Sequence, residues 1–309
     1  MSTEPDKQTA DGTLSAPPIQ STSRVGPFLE LTKPRLAFLS TLTGLAGFLA
    51  APDQFAWLGF LAVGVSIFLS AAGALTLNQV IERRIDGLME RTKDRPLPTG
   101  QISLNSALIF GIVTAGIGIA IAYLALPALA ASLILATVLI YVLVYTPLKR
   151  HTHWCTHVGA IPGALPPLIG WAAATGHADG LGLWLFFILA LWQMPHFFAI
   201  AWLCRGDYAQ GNLKMLSVTR PDGKRLIGEN FLYLGLLFPI CLAPVFLGEV
   251  GWIYGASSIL LNAIFLFEGI RFARTVKTGG STGNRLFLFS LLYLPVLLIA
   301  LLFDRTFFH

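Results

Sequence analysis

Followed for apolar and polar positions, the chain from residue 35 onward breaks into nine apolar blocks, at roughly 35–51, 56–80, 104–125, 127–147, 157–175, 182–204, 230–248, 251–270 and 286–303. Each is about as long as the ~20-residue helix that crosses a bilayer. None shows the alternation over about ten residues that marks a barrel strand. Only helices and closed barrels satisfy their backbone polar groups in lipid, so the pattern predicts an all-α membrane protein with nine transmembrane helices in one domain over 27–309. Residues 1–26 are different: rich in Ser, Thr, Pro and Gln, with no apolar run to serve a signal peptide and with Glu4, Asp6 and Asp11 against a transit peptide. They read as a disordered cytoplasmic tail.

Composition agrees with the pattern: 55% of the 309 residues are apolar and 12% charged, where a soluble domain carries about 25% charged residues. Three Cys give no disulfide framework. The net charge of +5 is concentrated on one face. Lys7, Arg24, Lys33 and Arg35 precede the first block, and Arg83, Arg84, Arg91, Lys93 and Arg95 follow the second. Lys149 and Arg150 follow the fourth, Arg205, Lys214, Arg220, Lys224 and Arg225 the sixth, and Arg271, Arg274, Lys277 and Arg285 the eighth. Only Arg305 of the 21 basic residues falls opposite. Since cytoplasmic loops carry the excess of Lys and Arg, the N-terminus is expected in the cytoplasm and the C-terminus outside. A charge confined to one membrane face, without a nucleic-acid module, excludes nucleic acid as the partner.

The polar loops on that face carry the chemistry. Asn78, Glu82 and Asp86 are spaced i, i+4, i+8, so a helix continuing from the second block aligns three oxygen-bearing side chains in one stripe. Hard cations such as Mg²⁺ take oxygen ligands and commonly bind through one or two carboxylates together with substrate phosphates. The same charges are equally compatible with a solvated helix end and local pairs such as Glu82 with Arg83. After the fourth block come Tyr145, Pro147, Lys149 and Arg150, then His151, His153, Cys155 and His157, whose spacings match no structural zinc pattern. Lys and Arg side by side suit phosphate oxygens, and Tyr145 shares a helical face with Lys149 if the turn at Pro147 permits. A further acid, Asp207, follows the sixth block. His196 lies inside that block, as either a functional group or an interhelical hydrogen-bonding one. Glu268 is expected to pair locally with Arg271.

The first loop resembles the Asn-x-x-x-Asp-x-x-x-Asp signature of the UbiA superfamily of intramembrane prenyltransferases, with Glu82 where the first Asp is usual. Asp86-Gly-Leu-Met-Glu-Arg-Thr-Lys-Asp-Arg-Pro-Leu-Pro-Thr-Gly100, Leu31-Thr-Lys-Pro-Arg35, Tyr145-Thr-Pro-Leu-Lys-Arg150, Val158 to Trp171, Pro195-His-Phe-Phe-Ala, Asp207-Tyr and Met215-Leu are similar to its haem-farnesylating branch. The likeness covers about residues 27–305. It implies a UbiA-type bundle in a bacterial inner membrane that moves the farnesyl group of farnesyl diphosphate to a vinyl group of haem B. By the same resemblance Asn78, Glu82, Asp86 and Asp207 would hold Mg²⁺ on the diphosphate. The superfamily's second loop often reads Asp-x-x-x-Asp, whereas here the fourth residue on is Gly211.

Departure of diphosphate from an allylic carbon leaves a carbocation, so the leaving charge has to be neutralised. Arg91, Lys93, Arg95, Lys149 and Arg150 are the candidates, with Tyr145 as a hydrogen-bond donor. His196 is the candidate haem ligand, and a haem A synthase or a terminal oxidase the candidate protein partner. The runner-up within the enzyme class is a quinone- or chlorophyll-type acceptor. A transporter would place its ionisable groups or broken helices near the midplane; Pro162, Pro166 and Pro167 in the fifth block leave room for one.

Overall fold

The computed structural model describes residues 25–52, 56–280 and 284–308. The expected tail therefore lies outside the described residues, except for Val25 and Gly26, which open the first helix. In order, the helices are α1 (Val25–Leu31), α2 (Pro34–Leu49), α3 (Trp57–Asp86), α4 (Leu104–Ala125) and α5 (Ala128–Leu139). A π-helical turn, Ile140–Tyr145, joins α5 to α6 (Thr146–Leu148), followed by α7 (Cys155–Thr175), α8 (Gly180–Leu203), α9 (Arg205–Gln210) and α10 (Leu216–Thr219). The chain ends with α11 (Lys224–Phe246), α12 (Trp252–Lys277) and α13 (Asn284–Phe308). Among the described residues there is no strand.

Among the described residues, eight segments are long and apolar enough to cross a membrane, counting Ala128–Leu148 as one. The ninth, α2, has 16 residues, about 24 Å at the helical rise and short of a ~30 Å hydrocarbon core. The apolar blocks are thus all helical, but several helices outrun them at the basic face: α3 extends to Asp86, α11 starts at Lys224 and α12 runs to Lys277. Lys and Arg stems carry their charges to the interface while the helix continues, so hydropathy alone stops short of the helix end.

Helix α7 is the hub, packing on α2, α5 and α8, while α8 in turn holds α11 and α13. Glycines permit the closest approach: a Cβ on Gly170 of α7 would overlap the carbonyl oxygen of Gly44 on α2, and one on Gly47 that of Pro167. In lipid, where no hydrophobic force drives helices together, such small-residue contacts give packing its grip. Despite Pro162, Pro166 and Pro167, α7 is one continuous helix, so the broken helix that a transporter would use is not formed there. One apolar core joins α7 and α8 to α11–α13 and a second joins α2–α5 to α7. The loops after α3, α6 and α8 are left together at one end of the bundle.

Candidate active site

The three predicted stripe residues lie on the last turns of α3 and are buried, Asn78 at 2%, Glu82 at 7% and Asp86 at 1% exposure. They form no local ion pairs. Lys149, just past α6, places its ammonium 2.9 Å from Glu82 Oε1 and donates to Oε2 at 3.1 Å. Arg95 donates from a guanidinium nitrogen to Asp86 Oδ2 at 2.7 Å, and Thr92 caps the turn by donating to the Asp86 carbonyl. Asn78 Nδ2 donates to Thr146 Oγ1 at 3.1 Å, and Thr146 passes its own proton to the carbonyl of Tyr141. The solvated-end reading is thereby replaced: burying Glu82 and Asp86 is tolerable because each meets a cation from another segment.

The π-turn sets where Lys149 goes. Its extra residue redirects the helix, so that the Tyr145 ring lies against Gly159 of α7 with Lys149 Nζ 4.6 Å from the ring centroid. Tyr145 and Lys149 do share a face, across the turn at Pro147. Burial works against the Lys149 ammonium, but the adjoining Tyr145 and Glu82 more than offset it and hold its pKa above the ordinary lysine value. The Lys214 amide donates to the Lys149 carbonyl at 2.9 Å, which ties the loop after α8 to the loop after α6.

The second acid, Asp207 on α9, is brought to the same end of the bundle and faces Arg91, Nε to Oδ2 4.0 Å. Other predicted residues stand apart. Lys93 is exposed and paired with Glu90 at 2.5 Å, and Arg150 is exposed and donates to the Ile81 carbonyl at 3.3 Å. His196 lies in the α8–α13 interface, its Nδ1 2.7 Å from Ser290 Oγ. Because Ser290 gives its proton to the Phe287 carbonyl, His196 is the donor through Nδ1, leaving Nε2 with a free lone pair. Its ring stacks on Trp192 and Phe287. Glu268 pairs locally with Arg271 at 3.4 Å, as expected.

One residue was not singled out from the sequence as a site residue. Lys33, between α1 and α2, has φ 45°, a left-handed backbone that costs a non-glycine residue roughly 1 kcal/mol or more. Gln79, next to Asn78 on α3, fixes that elbow by donating to the Leu31 carbonyl at 2.7 Å. Burial, then the charges of Arg95 and Lys149, lower the Lys33 pKa to about 7 against the pull of Glu82 and Asp86. Among the described residues no carboxylate lies within ion-pair distance of it. A basic residue immediately before Pro34 at the helix start was the available signal, but nothing in its spacing links it to α3.

The site thus consists of an oxygen-bearing stripe walled by Lys33, Lys149 and Arg95, with Arg91 and Asp207 beside it. Its donor set suits a hard cation: two carboxylates and one amide, all offering oxygen, with the buried Glu82 Oε1 ion-paired to Lys149 but outside hydrogen-bond geometry. An oxygen stripe among cations is an arrangement for a metal-bridged phosphate ester.

The sequence model of the UbiA prenyltransferase family matches residues 37–303. The chain is similar to the protoheme IX farnesyltransferase of Opitutus terrae, 38% identical over 289 residues, 93% of this chain and 97% of that one. Its fold is similar to a solved digeranylgeranylglyceryl phosphate synthase, with TM-score 0.75 and 18% identity over 91% of this chain and 98% of that one. It is also similar to a UbiA homolog from Archaeoglobus fulgidus solved with DMAPP and Mg²⁺, with TM-score 0.65 and 16% identity over 89% of this chain and 99% of that one. The chain is a multi-pass membrane enzyme and belongs to the UbiA prenyltransferase family.

Proposed function

We propose that the protein transfers the farnesyl group of farnesyl diphosphate to a vinyl group of haem B in a Mg²⁺-dependent reaction that releases diphosphate. The observation that supports a prenyl diphosphate most directly is the closure of Lys149 and Arg95, from two separate loops, on the buried carboxylates of α3. The acceptor rests on the relative named protoheme IX farnesyltransferase, which this chain matches over nearly its whole length.

Asn78, Glu82 and Asp86 would hold the cation, which when bound supplies positive charge against the departing diphosphate. Lys149, Arg95, Arg91 and Lys33 bind phosphate oxygens and orient the ester, with Tyr145 donating from its hydroxyl. Arg150 and Lys93, at the exposed rim, draw the anion in from solution. Glu82 and Asp86 keep Lys149 and Arg95 pre-positioned, so little reorganisation is needed when the C–O bond breaks. The farnesyl chain lies among apolar helices that keep water from the allylic cation. His196, with Nε2 free, is the residue proposed to meet the haem iron. The product leaves to a haem A synthase or a terminal oxidase, and the site faces the cytoplasm of a bacterial cell.

The test is incubation of the purified protein in nanodiscs with haem B, farnesyl diphosphate and Mg²⁺, resolving the haems by chromatography and mass. A farnesylated haem that disappears with EDTA and in Asp86→Ala is expected. Diphosphate release with a quinone precursor and none with haem would move the acceptor to that class, and no release with either would remove the transferase reading. Unchanged haem affinity and turnover in His196→Ala would take His196 out of the site.

A further inference from the structure

The second acidic loop offers one carboxylate where a matching pair would need residue 211. That position is tight. A Cβ on Gly211 would sit 3.0 Å from Ile85 Cγ2 and 3.1 Å from Met89 Cγ and Sδ, atoms of a buried apolar cluster. Any side chain at 211 would need these two neighbours to give way, and a carboxylate there would be set against apolar atoms. Asp207 is left alone in its loop, and the charged group it faces is Arg91.

Charge leads to the same conclusion. With a diphosphate bound, whose oxygens favour protonated Lys33, four protein cations around the stripe, Lys33, Arg91, Arg95 and Lys149, stand against three carboxylates, Glu82, Asp86 and Asp207, an excess of one positive charge. A fully ionised diphosphate ester brings about three negative charges, so one divalent ion makes the assembly neutral while two leave an excess of about two positive charges where uncompensated charge is expensive. Resting on the diphosphate reading above, we infer that this chain holds a single divalent ion, on Asn78, Glu82 and Asp86, and that Asp207 is a positioning residue that fixes Arg91 on the diphosphate in the place a second ion would take.

The test counts ions rather than turnover. Full-length protein in detergent is titrated with Mn²⁺ in the presence of farnesyl S-thiolodiphosphate, which binds without ionising, and bound Mn²⁺ is read by electron paramagnetic resonance. One Mn²⁺ per chain is expected in the wild type and equally in Asp207→Asn, and none in Asp86→Asn. Binding of the analogue, read by calorimetry, should weaken about tenfold in Asp207→Asn and in Arg91→Met, and no more than about twofold further in the double variant, as for residues acting as a unit. Two spin-coupled ions in the wild type, or loss of an ion in Asp207→Asn, overturns the inference and leaves the diphosphate reading standing. No Mn²⁺ on the wild type overturns both. If Asp207→Asn does not fold, the wild-type count and the analogue affinity of Arg91→Met still decide the matter.

Discussion

Lys33 is the cation whose charge depends most on what else is in the site. With its pKa lowered to about 7 by burial and by Arg95 and Lys149, it is partly deprotonated at neutral pH, and a phosphate oxygen beside it favours the protonated form. The dissociation constant of farnesyl S-thiolodiphosphate should therefore rise as pH rises from 7 to 9, by up to about tenfold per pH unit, relative to Lys33→Arg, which carries the same titration of the analogue but keeps its own charge. Parallel curves for the two proteins would remove Lys33 from the phosphate site. The sign for folding follows from the same shift. A folded pKa below the unfolded one makes the burial cost full below about pH 7 and relieves it as pH rises toward the ordinary lysine value. Lys149 behaves oppositely, held charged by Glu82. Lys149→Met should lower turnover by about 10²-fold or more and destabilise the protein by leaving Glu82 buried and unpaired. The double variant Lys149→Met with Glu82→Gln should recover the stability, read by thermal unfolding, and not the turnover. The acid stripe was legible because i, i+4 spacing fixes a helix face whatever the rest of the chain does. Lys33, and the particular acid each cation meets, were not, because those relations span up to 67 residues and exist only once α1, α3 and α6 are packed.

At the scale of elements, the π-turn Ile140–Tyr145 is the feature that apolar pattern could not reveal, since one extra residue in a continuously apolar helix leaves no trace in hydropathy. Its effect is angular: each residue adds about 100° around the helix axis. The wide turn already takes up one extra residue, so inserting an alanine after Leu143, which is exposed at 64%, should turn everything that follows by about 100°. That should swing Tyr145 and Lys149 off the α3 stripe and abolish turnover while helix content by circular dichroism stays the same. Deleting Leu143 should let the segment relax to α-helix with both side chains still on the stripe. Retained turnover after the insertion would show that the register of this segment does not aim these side chains. The α2–α7 contact makes the complementary case, where a small residue is needed for packing alone. Gly170→Ala places a methyl group against the Gly44 carbonyl, so the two helices must separate. A fall in thermal stability in detergent, with the wild-type turnover per folded molecule, is the expected outcome. Helix class and the placing of the eight long helices were readable because the apolar blocks are long and the loops between them polar, while nothing in the pattern set the 16-residue α2 apart as too short for a span. The ends were not, because α3 and α12 run on through charged residues whose burial depends on tertiary partners.

For the whole molecule, the arrangement that unites these scales is the collection, among the described residues, of the basic residues of the loops after α3, α6, α8 and α12 at the helix ends where the site also lies. Two physical demands coincide there. Lys and Arg resist translocation, which orients the chain, and a diphosphate ester needs cations at a water-accessible face. Some of the basic residues serve only the first demand: Arg83 and Arg84 lie on the last turn of α3 away from the named ion pairs. Orientation is therefore separable from catalysis. Alkaline phosphatase, active only outside the cytoplasm, should be active when fused after His309 and silent when fused after Gly279 in the α12–α13 loop, and a fluorescent protein at the N-terminus should fluoresce. Because 16-residue α2 is short for a span, the N-terminal reporter tests it specifically. Should α2 fail to cross while the eight longer helices do, the N-terminus would lie on the same side as the C-terminus, its fluorescence would be lost, and Lys33 would be separated by the bilayer from the α3 stripe. Fluorescence at the N-terminus together with phosphatase activity at the C-terminus is the one combination that puts Lys33, the stripe and all four cationic loops on a single face.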